Sequence, residues 1–344
     1  MSLFLRIAVA VAVALALSFL VTPPVKRFAE RIGAIDVPKD YRRIHKSPIP
    51  RLGGLAIFIG FLASVLIFAE VTVEVRGILL GSVLIVALGV IDDIYPLPAL
   101  TKLLAQTAAA IIAVSHGLVI EFLANPFVAV GGSNYLPLGV FAIPLTVFWI
   151  VSITNSVNLI DGLDGLAVGV STISSIVMMI IALLIAEPNA AIIMAALAGA
   201  CLGFMPFNFN PAKIFMGDTG ALLLGFVLST VSILGLFKFY AAISFVVPFF
   251  VLALPLVDTF FAFFRRLIKG QNPMSPDRGH FHHRLLDMGL SQKQAVFVLY
   301  AVSGLLGLVA VVLSTTHQVR GLILLIAVIM AISVAFYVFR IKKD

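Results

Sequence analysis

Residues 137–186 read PLGVFAIPLTVFWIVSITN SVNLIDGLD GLAVGVSTISSIVMMIIALLIA, two apolar runs, 137–155 and 165–186, divided by a polar break. Each run is about 20 residues long, enough at 1.5 Å per residue to cross the ~30 Å hydrocarbon core of a bilayer. A backbone in lipid must satisfy its own hydrogen bonds, so such runs form helices rather than strands. The break between them carries Asn155, Asn158, Asp161 and Asp164 in a chain of 344 residues whose charged fraction is only 11%. A carboxylate at the edge of a membrane span is costly to keep without a partner or a use.

The same alternation of apolar run and polar break covers the rest of the chain. Hydrophobic residues make up 61% of it, against roughly 45–50% in a soluble domain, and the mean hydropathy is +1.16. The pattern predicts an all-α polytopic membrane protein, a single transmembrane domain over 1–344. About eleven spans are expected, near 3–22, 52–69, 76–92, 100–117, 137–155, 165–186, 189–207, 219–237, 240–263, 292–314 and 319–340. Arg6 followed by an apolar stretch to Val21 is too long for a signal h-region and reads as an uncleaved first span. Glu121, Asn125, Pro126 and Gly131 to Asn134 mark a small hairpin near 120–136 that does not span. Pro248 and Pro255 should kink the ninth span, because a proline removes a backbone donor, and the bend would open a groove to lipid. The one cysteine, Cys201, lies in an apolar run and excludes a disulfide framework.

The net charge of +7 does not indicate nucleic acid, because the basic residues cluster in loops beside spans. Placing loop 23–51 in the cytoplasm leaves only Arg6, Arg76, Lys238 and Arg320 outside, which predicts N-out and C-in by the positive-inside rule. The same orientation gathers Asp92, Asp93, Asp161, Asp164, Asp218, Asp258 and Asp277 at the cytoplasmic side. Five loops, 23–51, 92–100, 155–165, 207–219 and 264–291, would then share one face and form one site.

Each loop has its own chemistry. Lys46 and Arg51, among prolines and before Gly53-Gly54, make a rigid cationic loop suited to an anion; a plain topology anchor would look similar. Asp92-Asp93 closes a helix whose C-terminal dipole is already negative, so the pair needs a cation or a proton, and Lys102 follows on the next helix. Asp161 and Asp164 share a face if helical, and could equally cap the next helix. In Asn208 to Gly220 the run Phe215-Met-Gly-Asp218-Thr-Gly aims one carboxylate at a helix entrance, where Asp218 is also a natural N-cap. His280, His282 and His283, with Arg265 upstream, lack a nearby cysteine and do not complete a zinc site; they suit a diphosphate. Carboxylates for a metal beside cations for phosphate indicate phosphoryl transfer.

Taken together, Asn-x-x-Asn-Leu-Ile-Asp-Gly-Leu-Asp-Gly-Leu (155–166), Asp92-Asp93 with Lys102, Phe-Met-Gly-Asp-Thr-Gly (215–220) and His-Phe-His-His (280–283) resemble the polyprenyl-phosphate N-acetylhexosamine-1-phosphate transferase superfamily. The form Asp-Arg-Gly-His-Phe-His-His-Arg (277–284) is most similar to the bacterial undecaprenyl-phosphate N-acetylglucosamine-1-phosphate transferases that start O-antigen, common-antigen and wall teichoic acid synthesis. The resemblance implies transfer of N-acetylglucosamine-1-phosphate from UDP-N-acetylglucosamine to undecaprenyl phosphate with release of UMP, at the cytoplasmic face of the bacterial inner membrane. It implies Mg²⁺, with Mn²⁺ as a substitute, held chiefly by Asp218. Asp92 would be the base, supported by Asp93. Lys46, Lys102, Asn158, Asp161, Gly162, Leu163, Asp164, Asn208, Phe215, Arg265, His280, His282 and His283 would bind substrate, Phe215 offering its ring to uracil.

Three other readings remain at this point. The phospho-N-acetylmuramoyl-pentapeptide transferases form a sister branch with a different histidine motif. A cation-coupled transporter would keep its carboxylates near the midplane, often in repeated halves, and no internal repeat is present. An intramembrane aspartyl protease needs two aspartates sharing a proton, and has no need of the basic loops. Direct attack and a covalent aspartyl intermediate are equally compatible with the residues, and a homodimer is not excluded.

Overall fold

The first helix, α1, runs from Leu3 to Ile32, ten residues beyond the expected end of the first span. The Pro23-Pro24 pair, just past that expected end, lies inside the helix. Hydrophilic residues carry the extension, with a Lys26–Glu30 pair one turn apart and Arg31 near the negative helix end, until Gly33 closes it at φ +75°. Part of the expected loop 23–51 is therefore helix.

The computed structural model describes residues 1–38, 47–124, 135–236, 246–268, 270, 279–315 and 328–329. Beyond α1 these form α2 (Gly53–Phe68), α3 (Val73–Ile94), α4 (Ala99–Ser115), α5 (Ala142–Ile160), α6 (Leu166–Leu184), α7 (Pro188–Asn208) and α8 (Gly217–Val231). Then come α9 (Val246–Val251), α10 (Ala253–Ile268), α11 (Phe281–Asp287) and α12 (Gln292–Thr315). Seven of the described helices are long and apolar enough to cross a membrane, while α2 and α4 are apolar but shorter. The chain is a polytopic membrane protein.

Burial follows from where each helix sits. Thr219 through Val231 of α8 are all buried, because α8 is the central helix, packed against α3, α5 and α2. On α1 the buried positions Ala10, Ala14, Ser18 and Thr22 recur every four residues and are small, which lets α1 lie close to α7 and α2. Such small-residue seams replace the hydrophobic drive that lipid does not supply. Within the core the Trp149 indole donates to Ser232 Oγ at 3.0 Å.

Two small antiparallel ribbons flank the bundle. β1 (Ile35–Asp36) pairs with β2 (Ile49–Pro50), and β3 (Phe122–Ala124) with β4 (Tyr135–Pro137), the latter at the expected hairpin. In place of one helix over 240–263, the described chain has α9 and α10 on either side of Leu252, with Pro248 and Pro255 near the break. The stretch 264–291, expected as loop, includes α11. Lys46, Asp277, Lys238 and Arg320, and all but two residues of the expected last span, lie outside the described residues.

Candidate active site

The C-terminal ends of α3, α5 and α7 and the N-terminal ends of α4, α6 and α8 meet at one end of the bundle. Asp92 and Asp93 occupy the last turn of α3, and their tasks differ. Asp92 Oδ1 accepts from the Leu97 amide at 2.7 Å, closing the turn into α4, and Oδ2 accepts from Lys102 Nζ at 2.9 Å. Asp93 accepts from three donors of α8, the amides of Asp218 and Thr219 at 3.0 and 3.1 Å and the Thr219 hydroxyl at 2.7 Å. These satisfy amides that a helix start leaves without partners. The N-cap role expected of Asp218 therefore falls to Asp93, a carboxylate from another helix.

Asp218 is left facing outward in the first turn of α8, where the helix dipole favours a negative charge. Its Oδ2 accepts from Lys102 Nζ at 2.9 Å, so one ammonium bridges Asp92 and Asp218. The turn before it depends on Gly217, which adopts φ +70° and lies so near Asp93 that a Cβ would strike the carboxylate. On the far side, the Gly53 and Gly54 amides donate to the Phe215 and Met216 carbonyls, each at 2.9 Å, and the Phe215 amide donates to Pro50 O at 2.8 Å. A Cβ on Gly54 would come within 2.1 Å of the Gly220 nitrogen, so only glycine permits this approach.

The polar break of residues 155–165 forms the opposite wall. Asp161 ends α5 and Gly165, at φ +80°, begins α6, so Asp161 and Asp164 lie in a turn between helices rather than on one helical face. Asn208 ties this turn to the next loop, accepting from the Gly165 amide at 3.1 Å and donating to Ile214 O at 3.1 Å. Asp164 does likewise, accepting from Asn210 Nδ2 at 2.9 Å and the Ala212 amide at 3.0 Å. Asn155 pairs with Gln106 of α4, side chain to side chain.

Between these walls lies a cleft of about 410 Å³ lined by Asp36, Arg51, Asp93, Lys102, Asn158, Asp161, Gly162, Leu163, Asp164, Asn208, Phe215, Gly217, Asp218, His283 and Gln292. Five of these are carboxylates. Solvent reaches Asp161, yet protein encloses it at the cleft floor. That enclosure, with Asp218, Asp93 and Asp164 nearby, pushes its pKa up to about 8 against the pull of Arg51.

The histidine run is built from α10. Asp258 accepts from the Phe281 amide at 2.8 Å, capping α11, and its other oxygen pairs with His280 Nδ1 at 2.9 Å. The His280 and His282 rings stack at 5.7 Å and 8°, and the His282 and His283 centroids are 4.3 Å apart. His282 is buried against Gly162, and burial and His283 lower its pKa to about 3. Of the three histidines only His283 reaches the cleft. Arg265 donates to Gly279 O at 2.9 Å and holds the start of this segment. Arg265, Asp92, His280 and His282 thus stand behind the cleft wall. Asp36 and Gln292 line the cleft although nothing in the sequence set them apart from the polar residues around them, Lys39 and Asp40 in one case and Ser291, Lys293 and Gln294 in the other; the Arg51 signal was visible beside Gly53-Gly54.

The donor set fits a hard divalent cation. Among the described residues no three metal-ligating side chains converge on one point, so a cation held here would draw on few carboxylates and complete its shell with other oxygens. The upward shift of Asp161 marks a concentration of negative charge that a cation would relieve.

Fold and cleft together define a class: a polytopic membrane protein with an acidic, cation-edged cavity at one end of its helix bundle. Residues 75–236 match the model of glycosyl transferase family 4, and the chain belongs to that family. It is 42% identical over 314 residues to the "Probable undecaprenyl-phosphate N-acetylglucosaminyl 1-phosphate transferase" of Bacillus subtilis, covering 90% of this chain and 86% of that protein. Identity to the decaprenyl-phosphate N-acetylglucosaminephosphotransferase of Mycolicibacterium smegmatis is 34%, over 92% of this chain and 85% of the relative. Identity to the undecaprenyl-phosphate alpha-N-acetylglucosaminyl 1-phosphate transferase of Escherichia coli K12 is 28%, over 89% and 83%.

Proposed function

We propose that this protein transfers N-acetylglucosamine-1-phosphate from UDP-N-acetylglucosamine to undecaprenyl phosphate, releasing UMP, as the first membrane step of a cell-surface polysaccharide pathway such as O-antigen, common antigen or teichoic acid. The observation that carries the reading is Asp218, set at the start of the central helix, sharing Lys102 with Asp92 and facing the Asp161–Asp164 turn across the cleft.

In the reaction an oxygen of the lipid phosphate attacks the sugar-bearing phosphorus of the donor, and the bond from that phosphorus to the UMP oxygen breaks. Two anions must meet, so positioning and charge neutralisation carry most of the catalysis. Asp93 is occupied by three α8 donors. Asp92 is carried over from the family motif as the base for the lipid phosphate; it stands behind the cleft wall and communicates with the cleft through the Lys102 ammonium it shares with Asp218. Mg²⁺ held by Asp218, with Asp161 beside it, would offset the charge of the phosphates, and Mn²⁺ could replace it. Leu163, Asp164 and Phe215 form the nucleotide end, with the Phe215 ring for uracil, and His283 faces the diphosphate and sugar. Arg265, His280 and His282 act by holding the histidine segment, while Lys46 is carried over from the family motif.

The site faces the cytoplasm in an N-out, C-in protein of the bacterial inner membrane. Phe260, Phe261, Phe263, Phe264, Leu267 and Ile268 of α10 are exposed beyond the break at Leu252 and offer an apolar path for the prenyl chain. A transporter fits poorly, since the carboxylates gather at one end of the bundle. An aspartyl protease fits no better, since such an enzyme has no use for Arg51, Lys102 and His283 around its carboxylates.

The test is UMP formation by the purified protein from UDP-N-acetylglucosamine and undecaprenyl phosphate, with and without Mg²⁺. Asp218→Ala is expected to fold and to lose more than about a hundredfold in turnover. Undiminished, Mg²⁺-dependent activity in that variant would remove Asp218 from its role, and activity only with UDP-muramoyl-pentapeptide would move the protein to the sister branch.

A further inference from the structure

Arg51 projects into the cleft from the turn between β2 and α2, and its surroundings suggest more than a topology signal. The guanidinium is paired to Asp36 at 2.8 Å, Nη2 to Oδ1, across the β1–β2 ribbon. Its backbone is pinned on both sides: its amide donates to Ala34 O at 2.9 Å, the Phe215 amide donates to the preceding Pro50 carbonyl, and the following Gly53 and Gly54 amides donate to the Phe215 and Met216 carbonyls. Arg51 is thus fixed by main-chain bonds to the segment that ends at Asp218. Between Arg51 and Gly53, Leu52 adopts φ +76°, a conformation that side chains other than glycine rarely take. That strained leucine is fully buried, and its position lets the chain turn Arg51 into the cleft while Gly53 packs against the Phe204 ring of α7 and Gly54 against the start of α8.

The charge balance gives this placement a purpose. Of the two permanently cationic side chains that line the cleft among the described residues, Lys102 is already shared by Asp92 and Asp218. Ion-paired to Asp36 on one side, the Arg51 guanidinium presents a planar fork that matches two phosphate oxygens. A single carboxylate at its back orients that fork without exhausting its donors. We infer that Arg51, held by Asp36, is a phosphate-binding residue of this cleft that grips a phosphate group of a substrate. The inference rests on the sugar-1-phosphate transferase reading. The donor diphosphate and the lipid phosphate present the same chemistry, and the binding and kinetic measurements below tell them apart.

The experiment measures equilibrium binding of uridine, UMP and UDP to the purified full-length protein, together with KM for undecaprenyl phosphate. Wild type is expected to bind UDP more tightly than uridine. If it binds neither, and forms no UMP, the transferase reading itself fails. If Arg51→Ala leaves uridine affinity unchanged but weakens UDP by about tenfold or more, Arg51 grips the donor diphosphate. If the uridine-to-UDP gain survives while KM for undecaprenyl phosphate rises about tenfold, it grips the lipid phosphate. If neither quantity changes, the pair with Asp36 is merely structural and the inference falls. Arg51→Lys keeps the charge without the fork and serves if the alanine variant does not fold; it should show the same loss to a smaller degree, and wild-type values in it would also overturn the inference. Asp36→Asn should shift the same constant as Arg51→Ala, and less strongly.

Discussion

Asp161 has a consequence at the scale of a single proton. Its pKa in the fold is about 8, against 3.8 for the free side chain, so between those values the folded protein keeps a proton that the unfolded chain has lost. Stability therefore falls as pH rises from about 4 to about 8. Asp161→Asn, a permanent mimic of the protonated acid, should flatten that fall when melting is followed in EDTA; an unchanged pH dependence would mean that the carboxylates around Asp161 do not repel it. His282 works in the opposite sense. Held neutral down to about pH 3, it contributes stability that is complete above pH 6.5 and fades as pH drops through that range. The identities of most cleft residues were legible in the sequence, because a carboxylate between apolar runs stands out. Their separate tasks were not. Asp92 and Asp93 are adjacent and chemically identical, yet only the arrival of α8 decides that Asp93 caps a helix while Asp92 shares a lysine.

At the scale of the elements, the approach of α2 to α8 sets the geometry of the site. A methyl group on Gly54 would meet the Gly220 and Thr219 backbone, which cannot yield as a flexible side chain would. Gly54→Ala should destabilise the protein by about 1–3 kcal/mol or more, and should lower turnover further by moving Arg51 and Asp218 apart. Melting temperature and kcat measured on the same preparation check this, and a variant with both at wild-type values would show that the helices do not need the contact. Helix existence and order were readable from the length of each apolar run. Ends were less so: α1 passes through Pro23-Pro24 because polar residues continue the helix beyond the bilayer edge, where hydropathy carries no signal. The short α11 escaped for another reason, since its cap, Asp258, lies 23 residues upstream of Phe281 on a different helix.

For the whole molecule, orientation is the decisive property, since a site facing the wrong side would meet no nucleotide sugar. Cys201 is the only cysteine and is buried, so its replacement by alanine gives a background for reporters. With that change, Val140→Cys, beside the β3–β4 ribbon, should react in intact cells with a maleimide that cannot cross membranes. Lys213→Cys, beside the cleft, should react only after the membrane is opened. The reverse pattern would invert the protein and place its cleft outside.

The grip of Asp93 on the start of α8 also orders events in time during synthesis. Asp92 meets Lys102 after only ten further residues, whereas Asp93 waits 125 residues for Asp218 and its neighbour. At about 5–20 residues per second this is an interval of roughly 6–25 s. During that interval α3 must sit in the bilayer with its last carboxylate held at the water's edge, and the entry of α8 ends the wait. The nascent chain therefore has no working cleft until its central helix is in place, and His283 and Gln292 complete the lining later still.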